Sequence, residues 1–168
     1  MQPTLEKIDS DFDSSITVKR EISSYMDYPF HYHPEYEIIF VQKSHGLRLM
    51  GNHISNFSDG DLVFIGSELP HVWKNDKAYY QGDENLKVDV FVIHFLEDAL
   101  GEGFFNLPEF RKVKKLFSRT SEQPVQKRLE IFKILIIVIK RNHLIRPDFR
   151  GFCIHLRFVG GCSQFCMA

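Results

Sequence analysis

The sequence predicts a mainly β domain, a sandwich or small barrel, followed by two helices. Short period-two runs separated by turn signals fill residues 16 to 95, as in folds made of many short strands. Phenylalanine is abundant, at 16 of 168 residues, and suits strands around an aromatic core. From Leu107 onward the apolar period changes to that of a helix.

Residues 1–15 are polar, acidic and aperiodic, and read as a flexible N-terminal arm. Ile16, Val18, Arg20 and Ile22 alternate with Thr17, Lys19 and Glu21, the signature of a half-exposed strand. Residues 36–42 form a β-branched and aromatic strand. Gly51-Asn52, which tolerates positive φ, joins Leu47–Met50 to His53–Phe57 as a two-residue hairpin. Ser58-Asp59-Gly60 is the next turn, residues 61–65 the next strand, and His71-Val72-Trp73 follows the turn at Gly66–Pro70. The run from Leu86 to Phe95 alternates strictly and reads as a long, central strand ending near His94, itself expected to sit in the core or rim with a backbone partner.

Pro108 suits a first helical position, and Phe110, Val113, Leu116 and Phe117 make one apolar stripe. A second helix is predicted from Ser121 to about Asn142. Its stripe of Val125, Leu129, Phe132, Leu135, Ile136 and Ile139 is flanked by further apolar residues, so it needs burial on two sides. Packing on the barrel and on a second subunit supplies that, with Phe132, Leu135, Ile136 and Ile139 as the expected dimer interface; a buried β-branched strand is the competing reading. Residues 144–168 show no clear period, and a strand or a disordered tail both remain open.

Composition bounds the function. With 43% hydrophobic and 26% charged residues the chain reads as one folded domain with an appendage. The net charge is −1, but residues 1–106 hold 8 basic against 18 acidic side chains, and residues 107–157 hold 13 against 4. The basic segment admits a nucleic-acid surface, a solvated helix face, or docking on its own acidic domain; a DNA-reading motif is absent from it. Met1–Ser10 has no apolar secretory core, and the apolar run Ile134–Ile139 is far short of the ~20 residues that span a bilayer, so a cytoplasmic protein is expected. Cys153, Cys162 and Cys166 are odd in number and clustered, which is no disulfide framework. Two of them on one helical face would still be short of a zinc site.

The stretch from Pro29 to Asn75 carries the chemistry. In an extended chain His31, His33, Glu37, Ile39 and Val41 share one face, with Pro34 interrupting the ladder. His71 follows two turns later, with Trp73 on its own face, while Tyr36 and Phe40 point the other way and pack outward under the helices. Three imidazoles and a carboxylate suit a divalent ion such as Zn, Mn, Fe or Ni. The alternative is four polar side chains lining a pocket mouth. Ile39, Val41 and Trp73 form a candidate small-molecule wall, and Arg48 either pairs an anionic ligand or sits in solvent.

His31-x-His33-x3-Glu37, then Gly60-Asp61, then Pro70-His71-x3-Asn75 resemble the two motifs of the cupin superfamily. In its wider context the stretch resembles the N-terminal sensing domain of AraC-type transcriptional regulators. The usual Pro-x-Gly ahead of the second motif's histidine is replaced by Gly66 and Pro70, and the first motif's glycine arrives late, at Gly46. The resemblance implies a cupin double-stranded β-helix, a jelly-roll barrel over residues 16–100. A helical dimerisation or linker segment, 107–143, would follow. It further implies a small-molecule ligand, sugar-like among the options, a homodimer, no catalysis, and DNA contact only through a helix-turn-helix domain for which the residues after Asn142 are too few. A metal-dependent cupin enzyme, of dioxygenase or isomerase type, is the alternative, with His31, His33, Glu37 and His71 as metal ligands.

Overall fold

The computed structural model describes residues 2–8, 16–99, 101–108, 111, 114, 115, 117, 153–158 and 161–166. Among the described residues nine strands precede residue 96: β1 (Thr4–Leu5), β2 (Ile16–Ser23), β3 (His31–Tyr32), β4 (Tyr36–Lys43), β5 (Gly46–Met50), β6 (His53–Phe57), β7 (Leu62–Ile65), β8 (His71–Asn75) and β9 (Val88–Phe95). They form two sheets, of order β1-β3-β8-β5-β6 and β2-β9-β4-β7. From β3 to β9 the chain crosses repeatedly from one sheet to the other, so residues near in sequence face each other across the interior. All these pairings are antiparallel except β1 with β3.

Period-two alternation decides which side chains meet. Ile39, Val41, Val63, Ile65, Val88 and Val90 of one sheet join Met50, Phe57 and Trp73 of the other in a single buried core. The opposite face of the four-stranded sheet is also covered. Tyr36 stacks on Phe64, Phe95 and Phe117, at ring-centroid distances of 5.6, 5.8 and 4.5 Å. Strand β4 is therefore buried on both faces from Tyr36 to Val41, and β9, hydrogen-bonded to β2 and β4, is central as its alternation predicts.

Gly51 takes φ 55° in the β5–β6 turn, as a two-residue hairpin requires. Strand β9 starts at Val88 rather than Leu86 because Asp83 closes a turn first: its carbonyl accepts the Leu86 N–H and its side chain the Asn85 N–H. The N-terminal segment, expected to be a loose arm, pairs β1 with β3 in parallel, Thr4 opposite His31. Hydrogen bonds from the Thr4 and Glu6 N–H groups to the Phe30 and Tyr32 carbonyls hold it there. Polar composition hid this strand, because two residues are too few for a period.

Arg111, Lys114, Lys115 and Phe117 are helical, within the first predicted helix. The second predicted helix, with Phe132, Leu135, Ile136 and Ile139, lies outside the described residues. Near the C-terminus, β10 (Cys153–Phe158) and β11 (Gly161–Cys166) pair antiparallel, so the cysteine-rich stretch is extended there and not helical. Among the described residues no helix is long and apolar enough to cross a membrane.

Candidate metal centre

The three histidines of the sequence motif arrive from two strands that touch. His31 of β3 lies opposite His71 of β8, and His33 follows β3 directly, before Pro34 ends the pairing. Glu37 comes from β4 in the facing sheet. All four are buried, and their ligand atoms lie within 4.8 Å of one another.

Backbone carbonyls fix the imidazoles. The Nδ1–H of His31 donates to the Pro29 carbonyl at 2.8 Å, that of His33 to Glu35 at 3.1 Å, and that of His71 to Leu69 at 2.8 Å. A carbonyl oxygen only accepts, so the proton sits on Nδ1 and the Nε2 lone pair of each neutral ring is left for the interior. The Nε2 atoms of His33 and His71 lie 3.3 and 3.5 Å from Glu37 Oε2. Nε2 of His31 lies 3.0 Å from the Glu6 carboxylate.

Lone pairs pointed at a carboxylate repel unless a cation or extra protons lie between them. Burial by itself would push the Glu37 carboxyl up; a positive charge on the neighbouring His71 outweighs it above all, holding the group well below the usual carboxylate range. Burial likewise opposes the charge on His71, but the neighbouring Glu37 prevails and raises it. His31 is shifted down, by burial first and then by His71. Even so, His71 Nε2 is buried with no hydrogen-bond partner. Two ligands bound to one ion at about 2.1 Å lie roughly 3.0 to 4.2 Å apart. The His33–Glu37 and His71–Glu37 separations of 3.3 and 3.5 Å already lie in that range, and only the widest spacing in the set, within 4.8 Å, needs a contraction, so the donor set fits a divalent ion.

Other expected residues fall differently. Ile39 and Trp73 line a cavity of about 150 Å³ beside the four ligands. Val41 is fully buried in the core and is not part of that wall. Arg48 is neither solvated nor free for an anion: 2% exposed, it bonds Ser55 and Asp61 at 2.9 Å each and lies over the Trp73 ring. Asn75, the last residue of the second motif, is a staple, accepting the Met26 N–H and donating to Ser44 Oγ and the His45 carbonyl.

Two further side chains reach the cluster, His94 and Glu6. His94 lies opposite Glu37 in the β4–β9 register and its Nε2 is 3.0 Å from Glu37 Oε2, in place of the expected backbone partner; its Nδ1 is buried and unpartnered. Parity of the β9 run, which puts His94 on the cavity face with Val90 and Val92, was the available signal. Glu6 belongs to a segment without a pattern, so nothing in the sequence pointed to it.

Compared with known proteins by sequence, the chain matches no family description and no curated protein. By structure it is similar to a cupin 2 conserved barrel domain protein from Salinispora arenicola CNS-205, 13% identical, over 56% of this chain and 74% of that one, with a TM-score of 0.42. It is also similar to a cupin 2 conserved barrel domain protein from Rhodopseudomonas palustris, 20% identical, over 52% and 57%, TM-score 0.37. A third is unsaturated fatty acid bound wild-type ToxT from Vibrio cholerae strain SCE256, 12% identical, over 79% and 57%, TM-score 0.38. All three TM-scores lie below 0.5, and the two-sheet assignment stands on the strand order of this chain.

Proposed function

We propose that the chain is a small-molecule-sensing domain of cupin type, built around one divalent ion held by His31, His33, Glu37 and His71. In this reading it is the sensing and dimerisation part of an AraC-type transcriptional regulator, cytoplasmic and without catalysis of its own. The observation that carries the metal is the geometry of three imidazoles whose Nδ1 protons are committed to backbone carbonyls, leaving His71 Nε2 buried without a partner. The donor set suits Zn, Mn, Fe or Ni, and when bound such an ion supplies Lewis acidity and open positions for an oxygen ligand.

Sensing draws support from β4. Glu37 faces the cavity while Tyr36, its neighbour, packs on Phe117 in the helical segment. A ligand that fits one placement of β4 better than another shifts the population between them. The homodimer is assigned to Phe132, Leu135, Ile136 and Ile139, and DNA contact to a helix-turn-helix domain.

Metal analysis of the purified protein tests the centre: one equivalent is expected, and His71→Ala should lose it. A protein that takes up none of the four metals in titration, with His71→Ala indistinguishable from wild type, refutes it. The second reading, a metal-dependent enzyme, is favoured by His94, a buried imidazole on the cavity wall beyond the ligand set. Conversion of a bound compound by the loaded protein, abolished in His94→Ala, would replace the sensor reading with that one.

A further inference from the structure

We propose that strand β6 is a docking edge for a second copy of this chain, which adds its own β6 antiparallel about Ser55 and joins the two five-stranded sheets into one. Neither the ligand cluster nor the C-terminal stripe takes part in this contact.

The hairpin fixes which backbone groups face outward. Gly51 and Asn52 alone join β5 to β6, which makes Met50 and His53 a hydrogen-bonded pair. Bonded pairs alternate along the ladder, so His53, Ser55 and Phe57 turn their N–H and C=O groups to β5, while Ile54 and Asn56 turn theirs away. Strand β6 is the last of its sheet, and neither outward residue has a backbone partner on that side among the described residues. A twofold axis through Ser55 sets Ile54 of each copy opposite Asn56 of the other. All the outward groups of both residues then pair, in four backbone hydrogen bonds. An axis through Ile54 or Asn56 would leave one of the two residues unpaired within the strand.

Composition separates this edge from the others. Strand β6 reads His-Ile-Ser-Asn-Phe and lacks the charged residues and proline that ordinarily keep a strand edge single. The edge strand β2 carries Lys19, Arg20 and Glu21, β7 is buried throughout, and β1 is two residues long. On the outer face of the hairpin Leu47 and Ile54 are 50% and 66% exposed, with Leu49 opposite Ile54. In the paired arrangement the two Ile54 side chains are diagonal neighbours, so the apolar patch of one copy runs on into that of the other.

Charge favours a second copy as the occupant. An uncharged strand meets an identical uncharged strand, and the net charge of −1 over the whole chain sets up little long-range repulsion between copies. A charged peptide would find no counter-charge on β6. The contact is small and therefore weak, formed in concentrated solution and not at the micromolar levels at which sedimentation reads the C-terminal stripe.

Amide hydrogen exchange by NMR on the full chain reads this edge whatever the stripe does. At about 20 µM the Ile54 and Asn56 amides should exchange freely while those of His53, Ser55 and Phe57 are protected; at about 1 mM the first two should slow about threefold or more by mass action. Ile54→Lys and Asn56→Pro should each abolish the slowing, read at the Asn56 amide in the first and the Ile54 amide in the second. Neither removes a bond to β5, since the Ile54 side chain is exposed and the Asn56 N–H points away from the ladder, so each variant stands in for the other should one not fold. Slowing that survives both substitutions overturns the proposal. So does exchange that ignores concentration: fast throughout, the edge stays in water; slow throughout, another segment of this chain covers it.

Discussion

Replacing Gly46 by alanine should unfold the site without touching any residue in it. Gly46 begins β5 opposite Asn75 of β8, and the strands approach so closely there that an added Cβ would lie 2.1 Å from the Lys74 carbonyl oxygen and 2.8 Å from the Asn75 Cα. Both are backbone atoms and cannot rotate aside. Relief requires β8 to retreat by more than an ångström, and the same position holds φ 155°, which alanine adopts only under strain. Overpacking of this kind costs about 1–3 kcal/mol, and the strained backbone about 1–2 more. A loss of about 3 kcal/mol lowers the melting temperature of a domain of roughly 100 residues by more than about 10 °C. Because β8 also carries His71, metal affinity should fall with stability. Thermal unfolding by circular dichroism and metal titration of Gly46→Ala measure both. A melting temperature within about 3 °C of wild type would sink the packing argument, since no rearrangement that small clears a backbone contact of 2.1 Å.

Three further outcomes can be measured. Asp61→Asn should cost about 3 kcal/mol in urea unfolding because it strands the buried guanidinium of Arg48, whereas Arg48→Met leaves a carboxylate that reaches water and should cost much less; equal losses would contradict the asymmetry. Tyr36 is pushed up to about 12 by burial and by Glu97, so between its unfolded value of about 10 and 12 the folded state holds a proton that the unfolded state has lost, and stability falls as pH rises through that window. Unfolding midpoints from pH 9 to 11.5 should therefore decline more steeply for wild type than for Tyr36→Phe, and parallel curves would show the phenol to be unshifted. Ile136→Glu should give a soluble monomer by sedimentation, and unchanged association would remove this stripe from the interface.

Most of the strands were legible in the sequence because alternation survives wherever one sheet face meets a core. Ile39 with Val41 and Val90 with Val92 declared their faces in this way, and Gly51-Asn52 declared a hairpin. The ligand row was legible only in part: the residue types were plain, but the single extended face expected for His31, His33 and Glu37 does not form, because the chain changes sheet between Tyr32 and Tyr36 and Glu37 meets the histidines from the facing sheet. What alternation cannot report is the partner across the interior. Arg48 read as a surface cation because its neutralising Asp61 lies 13 residues on, in the turn that leads into β7 of the other sheet. Glu6 was invisible because its position follows from two backbone hydrogen bonds to β3, not from its own side-chain pattern. His94 was on the right face, but its pairing with Glu37 depends on the β4–β9 register, which side-chain spacing leaves free by steps of two.

Strand β4 has a consequence of its own. Tyr36 and Glu37 are consecutive, one wedged among aromatic rings and the other among imidazoles, and a slip of one residue would exchange them, placing a phenol among the imidazoles and a carboxylate against Phe64 and Phe95. The aromatic layer and the ligand cluster thus act as two keys cut on the same blade. Each excludes the misalignment the other cannot detect, so a substitution that loosens the outer rings, such as Phe64→Ala, should be felt first as an error in where the carboxylate sits.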